Sequence, residues 1–141
     1  MAYCTQDDLE HALPEGNLIA LTDDEGAGTV DADRVAEAIA SADAEIDGYC
    51  AVRYTVPFTT APALIKKCSV DIAVYNLYSR TMETIPDTRA ARYKDALRIL
   101  ERIADGIIEL PPDTTAAGDT GGVSSITAGD RLFTRDTMKG F

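Results

Sequence analysis

One segment of the sequence has residue types and spacing close to those of a metal-binding loop: TDDEGAGTVDADR, at residues 22–34. Counted from its first Asp, a calcium loop needs oxygen ligands at positions one, three, five and nine, Gly at six and a bidentate Glu at twelve. Four of these places match, at Asp23, Glu25, Gly28 and Asp31. However, Ala27 stands at the fifth place and Arg34 at the twelfth, so little calcium affinity is expected. The segment is predicted to be a Gly-rich turn before a helix capped by Asp31.

The cysteines do not indicate a disulfide framework or a zinc site. Cys4, Cys50 and Cys68 are odd in number and widely spaced, whereas both kinds of site need close or paired cysteines. Cys50 and Cys68 lie on apolar helical stripes, and they are predicted to be ordinary buried thiols.

The remaining reactive side chains form no catalytic pattern. Ser41, Ser69, Asp71 and His11, the only histidine, are scattered over three predicted elements without an activating motif. Asp71 lies beside an apolar stripe, and we expect it to pair with an arginine such as Arg53 or Arg80. No enzymatic activity, no cofactor and no metal site are therefore expected.

The elements that carry these residues are predicted to be helices. Apolar residues recur at helical spacing in three long segments, Asp31 to Tyr54, Pro62 to about Met82 and about Asp87 to Asp105. Shorter helices are predicted after Thr5 and from Glu15 to Leu21. The fold class is therefore all-α, a small bundle of three long helices with short N-terminal helices and an extended C-terminal arm.

The first long segment is interpreted as the central helix of the bundle. Its inward stripe comprises Val35, Ala38, Ile39, Ala42, Ile46, Tyr49 and Cys50. Close approach of a neighbouring helix is predicted along Ala36, Ala38, Ala40, Ala42 and Ala44. Its outward face is predicted to carry Asp33, Glu37, Ser41, Glu45 and Asp47.

Charge is distributed unevenly along the chain, which has a net charge of -11. Residues 1–50 contain 13 acids and one base, whereas residues 51–141 contain 11 acids and 12 bases. The acidic half should repel nucleic acid, because phosphate binding depends on Lys and Arg. A purely solubilising acidic surface is the simpler alternative.

Two regions are predicted, a helical domain at 1–108 and an arm at 109–141. Much of the arm is rich in Pro, Gly, Ser and Thr, a composition typical of a flexible tether. Its last stretch combines apolar and basic side chains, and we expect it to become ordered on a partner. The predicted partner-binding residues are Arg131, Leu132, Phe133, Arg135, Met138, Lys139 and Phe141.

The sequence predicts neither a membrane segment nor a secretory leader. No apolar run approaches the length needed to cross a bilayer, and residues 1–10 are polar and acidic. Synthesis in the cytoplasm is expected.

Six segments, taken in order, resemble a family of small virion proteins from Mu-like tailed phages and prophages. They are AYCTQDDL, LTDDEGAGTVD, ADAEIDGYCAVRYTVP, DIAVYNLY, RYKDALRILERIADG and LFTRDTMKGF. The most specific parts are EIDGY with the following RY and Pro57, and the terminal RD-x-x-KGF. The similarity covers nearly the whole chain.

The family resembles the head-tail connector, or adaptor, proteins of long-tailed phages. The resemblance implies a structural protein of the virion, in a ring of about twelve small helical subunits beneath the portal. The expected partners are the portal protein, neighbouring copies of the chain, and a stopper or tail-completion protein. DNA would pass through the ring without specific binding, with Asp33, Glu37 and Glu45 as candidate channel-lining acids.

Other classes of protein fit parts of the sequence. An acidic helical binding or regulatory module would bind a basic protein partner, but it does not account for the apolar residues of the terminal peptide. A calcium-regulated domain would show a calcium-dependent melting temperature, which Ala27 and Arg34 argue against.

Overall fold

A computed structural model of the protein describes residues 2–81 and 84–111. Within these ranges the chain forms five α-helices and no strand. The helices are α1 (Gln6–Ala12), α2 (Glu15–Thr22), α3 (Ala32–Cys50), α4 (Ala63–Thr81) and α5 (Asp87–Ala104). The all-α prediction is confirmed. None of these described helices has the combination of length and apolar character that crossing a bilayer requires.

Side-chain caps fix where two of the helices begin. The Thr5 hydroxyl accepts the Asp8 amide, and the Asp8 carboxylate in return accepts the Thr5 amide at 2.8 Å, which is a capping box. Asp31 caps α3 by accepting the amides of Asp33 and Arg34. These caps depend on residues only two or three positions apart, which is why the sequence predicted both starts.

The central helix of the bundle is α4, and the prediction that α3 is central was wrong. Helix α4 packs against all four other helices of the described chain. Its buried side chains include Ile65, Cys68, Ile72, Ala73, Val74 and Leu77. They cover most of its circumference, as a helix surrounded by others requires. The single strong stripe of α3 instead marks a helix with one face in solvent, and Ala36, Ala40 and Ala44 are exposed there.

The three cysteines are buried free thiols, as predicted for Cys50 and Cys68. Burial raises the pKa of Cys4 and Cys68 to about 11 and that of Cys50 to about 12. At neutral pH the three thiols are therefore protonated and unreactive.

The predicted Gly-rich turn before α3 is confirmed. The Asp23 carboxylate accepts the amide hydrogens of Ala27 at 2.9 Å and Gly28 at 2.7 Å. These bonds lower the pKa of Asp23. Gly28 has a φ of +74°, a conformation that side-chain-bearing residues rarely adopt.

The predicted arginine partner of Asp71 was wrong. Lys67 lies one turn earlier on α4, and its Nζ is 3.0 Å from Asp71 Oδ2. Arg80 instead pairs with Asp24 and donates to the Leu21 carbonyl at 3.1 Å. A partner four residues away on the same helix is available without long-range packing.

Two glycine substitutions should change stability in opposite directions. Gly48 lies within α3 with open space around it, so Gly48→Ala should raise the free energy of unfolding by up to about 1 kcal/mol. Gly106 ends α5 with a φ of +78°, and a Cβ there would overlap the Arg53 guanidinium. Gly106→Ala should therefore lower the free energy of unfolding by about 1–2 kcal/mol. Urea denaturation of both variants measures the difference, and the same sign of change in both would contradict this account.

Candidate interaction surfaces

An open groove of about 590 Å³ separates the N-terminal segment from α3. One wall is formed by residues 2–6 and the other by the exposed side of α3. The α3 residues that line it include Ala32, Val35, Ala36, Ile39, Ala40 and Ala44. The groove exists because four of these residues are alanines at intervals of four, whose small side chains leave space that no described segment fills.

A buried polar cluster lies at the base of the groove. Asp43 is only 8% exposed, and its carboxylate accepts the Tyr3 amide at 3.0 Å and the Ser69 hydroxyl at 2.7 Å. The Ser69 oxygen is also 3.1 Å from the Cys4 sulfur. Burial raises the pKa of Asp43 above its usual value, although the two hydrogen bonds oppose the shift. The cluster attaches the N-terminal segment to α3 and α4.

A second set of contacts connects the groove to the last described residues. The Tyr3 hydroxyl donates to Asp47, which lines the groove, and accepts the Phe58 amide at 3.0 Å. The ring of Phe58 lies 5.7 Å from that of Tyr3 and 6.1 Å from that of Tyr54. The Tyr54 hydroxyl in turn accepts the Leu110 amide at 2.9 Å. The last described residues therefore lie near the Asp47 end of the groove.

The polar cluster brings together residues that are far apart in the sequence. Among the described residues, however, it does not provide a nucleophile with a neighbouring base. In the described residues, neither Ser69 nor Cys4 has a His or Lys within hydrogen-bonding distance that could accept its proton. The Asp43 carboxylate is occupied by two donors. The arrangement is therefore suited to holding segments together.

Asp43 was missed by the sequence interpretation, although a local signal was present. It lies four residues after Ile39 and three before Ile46, both of which are buried. That spacing places Asp43 on the inward stripe of α3, where a carboxylate needs hydrogen-bond donors.

The three candidate channel acids have different environments. Asp33 and Glu37 are exposed, and Glu37 lies 3.4 Å from the Arg34 guanidinium. Glu45 does not project freely into solvent as predicted. It is half-buried and accepts the Tyr93 hydroxyl at 3.0 Å. Burial, with the help of Glu45, raises the pKa of Tyr93 to about 12.

The outward prediction for Asp47 also needs correction, because this residue is half-buried and bonded to Tyr3. Both Glu45 and Asp47 lie next to the inward stripe, where hydroxyls from other segments reach them. The freely exposed acids of α3 are therefore concentrated in its first half.

The outer surface of α5 carries charges of both signs: Arg92, Lys94, Arg98 and Arg102 are exposed, and so are the acids Asp87, Asp95 and Glu101. Arg98 lies 3.2 Å from Asp95 on the same helix. Among the described residues, no α5 base forms an ion pair with an acid of α3. Within the described part of the chain, Arg92, Lys94 and Arg102 form no ion pair and are therefore available to a partner.

The predicted partner-binding peptide lies outside the described residues. This applies to Arg131, Leu132, Phe133, Arg135, Met138, Lys139 and Phe141. The packed body extends at least to Leu110, which is 7% exposed, two residues beyond the predicted domain boundary.

Comparison with known proteins gives one family. Residues 3–126 match the family described as "Bacteriophage Mu, Gp36". The chain is 39% identical over 108 residues to "Gene product J" of Escherichia phage Mu, covering 75% of this chain and 74% of that protein. It is 33% identical over 118 residues to "Mu-like prophage FluMu protein gp36" of Haemophilus influenzae, covering 82% and 80% of the two chains. This chain therefore belongs to the Bacteriophage Mu Gp36 family.

Proposed function

We propose that the protein is a head-tail connector, a structural protein of the virion that joins the phage head to the tail. In this role about twelve subunits form a ring beneath the portal, around the channel through which DNA passes. Membership of a phage Mu family supports a role in the particle. The observation that carries the proposal is the uneven distribution of charge: residues 1–50 hold 13 acids and one base, whereas α5 exposes four bases.

Separated charges of this kind favour head-to-tail association of identical subunits. A contact between two different surfaces of the same protein closes into a ring when the rotation between neighbours permits it. The bases Arg92, Arg98 and Arg102 would meet the acidic half of the next subunit. Among the residues that the structure describes, none of these bases pairs with an acid of α3, which supports this arrangement.

Exposed acids suit the lining of a DNA channel. Negative side chains repel phosphates, so DNA would move through the ring without adhering to it. Asp33 and Glu37 fit this role best, because both are exposed. Glu45 fits it less well, because Tyr93 occupies its carboxylate.

The C-terminal peptide would dock the ring on the portal, and a stopper or tail-completion protein would bind the opposite side. Leu132, Phe133, Met138 and Phe141 would supply apolar anchors, and Arg131, Arg135 and Lys139 would add charge. A tethered peptide with these features is typical of segments that order on a partner.

Co-sedimentation with the portal ring of the same phage tests this function. The full-length protein should pellet with the portal, and both a chain ending at Ala117 and a full-length Phe133→Ser/Phe141→Ser variant should lose most of that binding. The double variant keeps the whole helical body as a matched control. Equal binding by all three would move the contact to the helical body.

If none of the three proteins binds, the portal-docking proposal is wrong. Binding to an unrelated basic protein would then favour the acidic binding module instead.

A further inference from the structure

The groove beside α3 has the dimensions and character of a peptide-binding site. Its volume of about 590 Å³ falls within the roughly 300–1,000 Å³ of pockets that bury small ligands, so several side chains could enter it. The exposed alanines Ala36, Ala40 and Ala44 supply its accessible apolar surface, beside the buried side chains of Val35 and Ile39. Apolar surface of this kind is stabilised when large side chains cover it.

The charge of the groove favours a basic occupant. Asp43 and Asp47 both line it, and neither forms an ion pair within the described residues. Residues 131–141 contain Arg131, Arg135 and Lys139 against one acid, Asp136. The same stretch carries large apolar side chains, so it matches the groove in both respects.

The position at which the described chain ends brings this peptide within reach. Leu110 is bonded to Tyr54, whose ring lies against Phe58, and Phe58 in turn contacts Tyr3 beside the groove. The 19 residues from 112 to 130 are rich in Gly, Ser and Thr. A linker of that length and composition has a root-mean-square span of about 24 Å, comparable to the length of α3, which is about 28 Å.

From these observations we propose that residues 131–141 bind in the groove between the N-terminal segment and α3 of their own chain. Leu132 and Phe133 cover the exposed alanines of α3, and the basic residues lie near Asp43 and Asp47. Binding within one chain is favoured over binding between chains because a short tether gives an effective concentration in the millimolar range. The groove thereby holds the peptide in the free subunit.

Cross-linking in the full-length protein tests the proposal without the portal. Cysteines are introduced at Ala40, in the groove, and at Thr134, between Phe133 and Arg135, and a short bis-maleimide is added at low protein concentration. The native cysteines are at most 1% exposed, so the introduced pair reacts selectively. The matched control pairs Thr134→Cys with Ala91→Cys, because Ala91 is exposed on α5 and does not line the groove.

The Ala40 pair should form the intramolecular product at least tenfold faster than the Ala91 pair. Adding Leu132→Ser and Phe133→Ser should reduce that ratio to near one, and so should Ala36→Lys in the groove. Equal rates for the two original pairs would overturn the proposal. Faster formation of cross-linked dimers alone would also overturn it, because the groove would then hold a neighbouring chain's peptide.

The result does not depend on the proposed connector function. A chain that fails to bind the portal can still show the cross-link, and a chain that binds the portal can lack it.

Discussion

Ile72→Ala is expected to lower the free energy of unfolding by about 2–5 kcal/mol, the range found when large buried aliphatic side chains are truncated. Ile72 has no exposed surface and lies in the middle of α4, the helix that contacts all the others. The neighbouring helices therefore prevent the surrounding residues from filling the space that the side chain leaves. The remaining cavity destabilises the protein further, in addition to the loss of buried apolar surface. Chemical denaturation followed by far-ultraviolet circular dichroism measures the change.

Val52→Ala provides the matched control, because it also shortens an aliphatic side chain but at a position that is 72% exposed. It should change stability by no more than about 0.5 kcal/mol. If Ile72→Ala changes the free energy of unfolding as little as Val52→Ala does, the result contradicts the close packing of α4 against the other described helices.

The extents of the helices could be predicted because their determinants are local. Apolar spacing and the Thr5 and Asp31 caps act over one or two turns. The predicted long helices therefore agree with α3, α4 and α5, with differences of a few residues at the ends.

The order in which the helices pack could not be predicted in the same way. The apolar stripe of α3 contrasts strongly with its polar opposite face, and this contrast led to the prediction that α3 is the central helix. A central helix instead buries residues around most of its circumference, as α4 does with Ile65, Val74 and Leu77. A small difference in polarity between the faces of a helix is therefore the sequence feature that indicates a central position.

The groove and its polar cluster were inaccessible to sequence reasoning because they depend on distant segments. Ser69 is 26 residues from Asp43, and Tyr3 is 40 residues from it. The charge asymmetry, in contrast, could be counted directly. Which acids remain free was decided by tertiary hydrogen bonds, such as the one between Tyr93 and Glu45.

Asp43→Ala is expected to lower the free energy of unfolding by about 2–4 kcal/mol. The substitution leaves two buried donors, the Tyr3 amide and the Ser69 hydroxyl, without their acceptor, and each such loss costs about 1–3 kcal/mol. Relief from burying a charge offsets part of that loss. Glu37→Ala is the control on the same helix, because its exposed carboxylate should contribute no more than about 0.5 kcal/mol.

Comparison with Asp43→Asn tests the role of charge through its pH dependence. Burial raises the pKa of Asp43 in the folded protein above the ordinary value of 3.8, so the folded state retains a proton that the unfolded chain has already lost. The stability of the native protein relative to Asp43→Asn should therefore fall as pH rises from 3.8 through the folded-state pKa, and then level off. A relative stability that instead rises with pH below 3.8 and stays level above it would mean that the two donors outweigh desolvation and that the cluster stabilises the charged carboxylate.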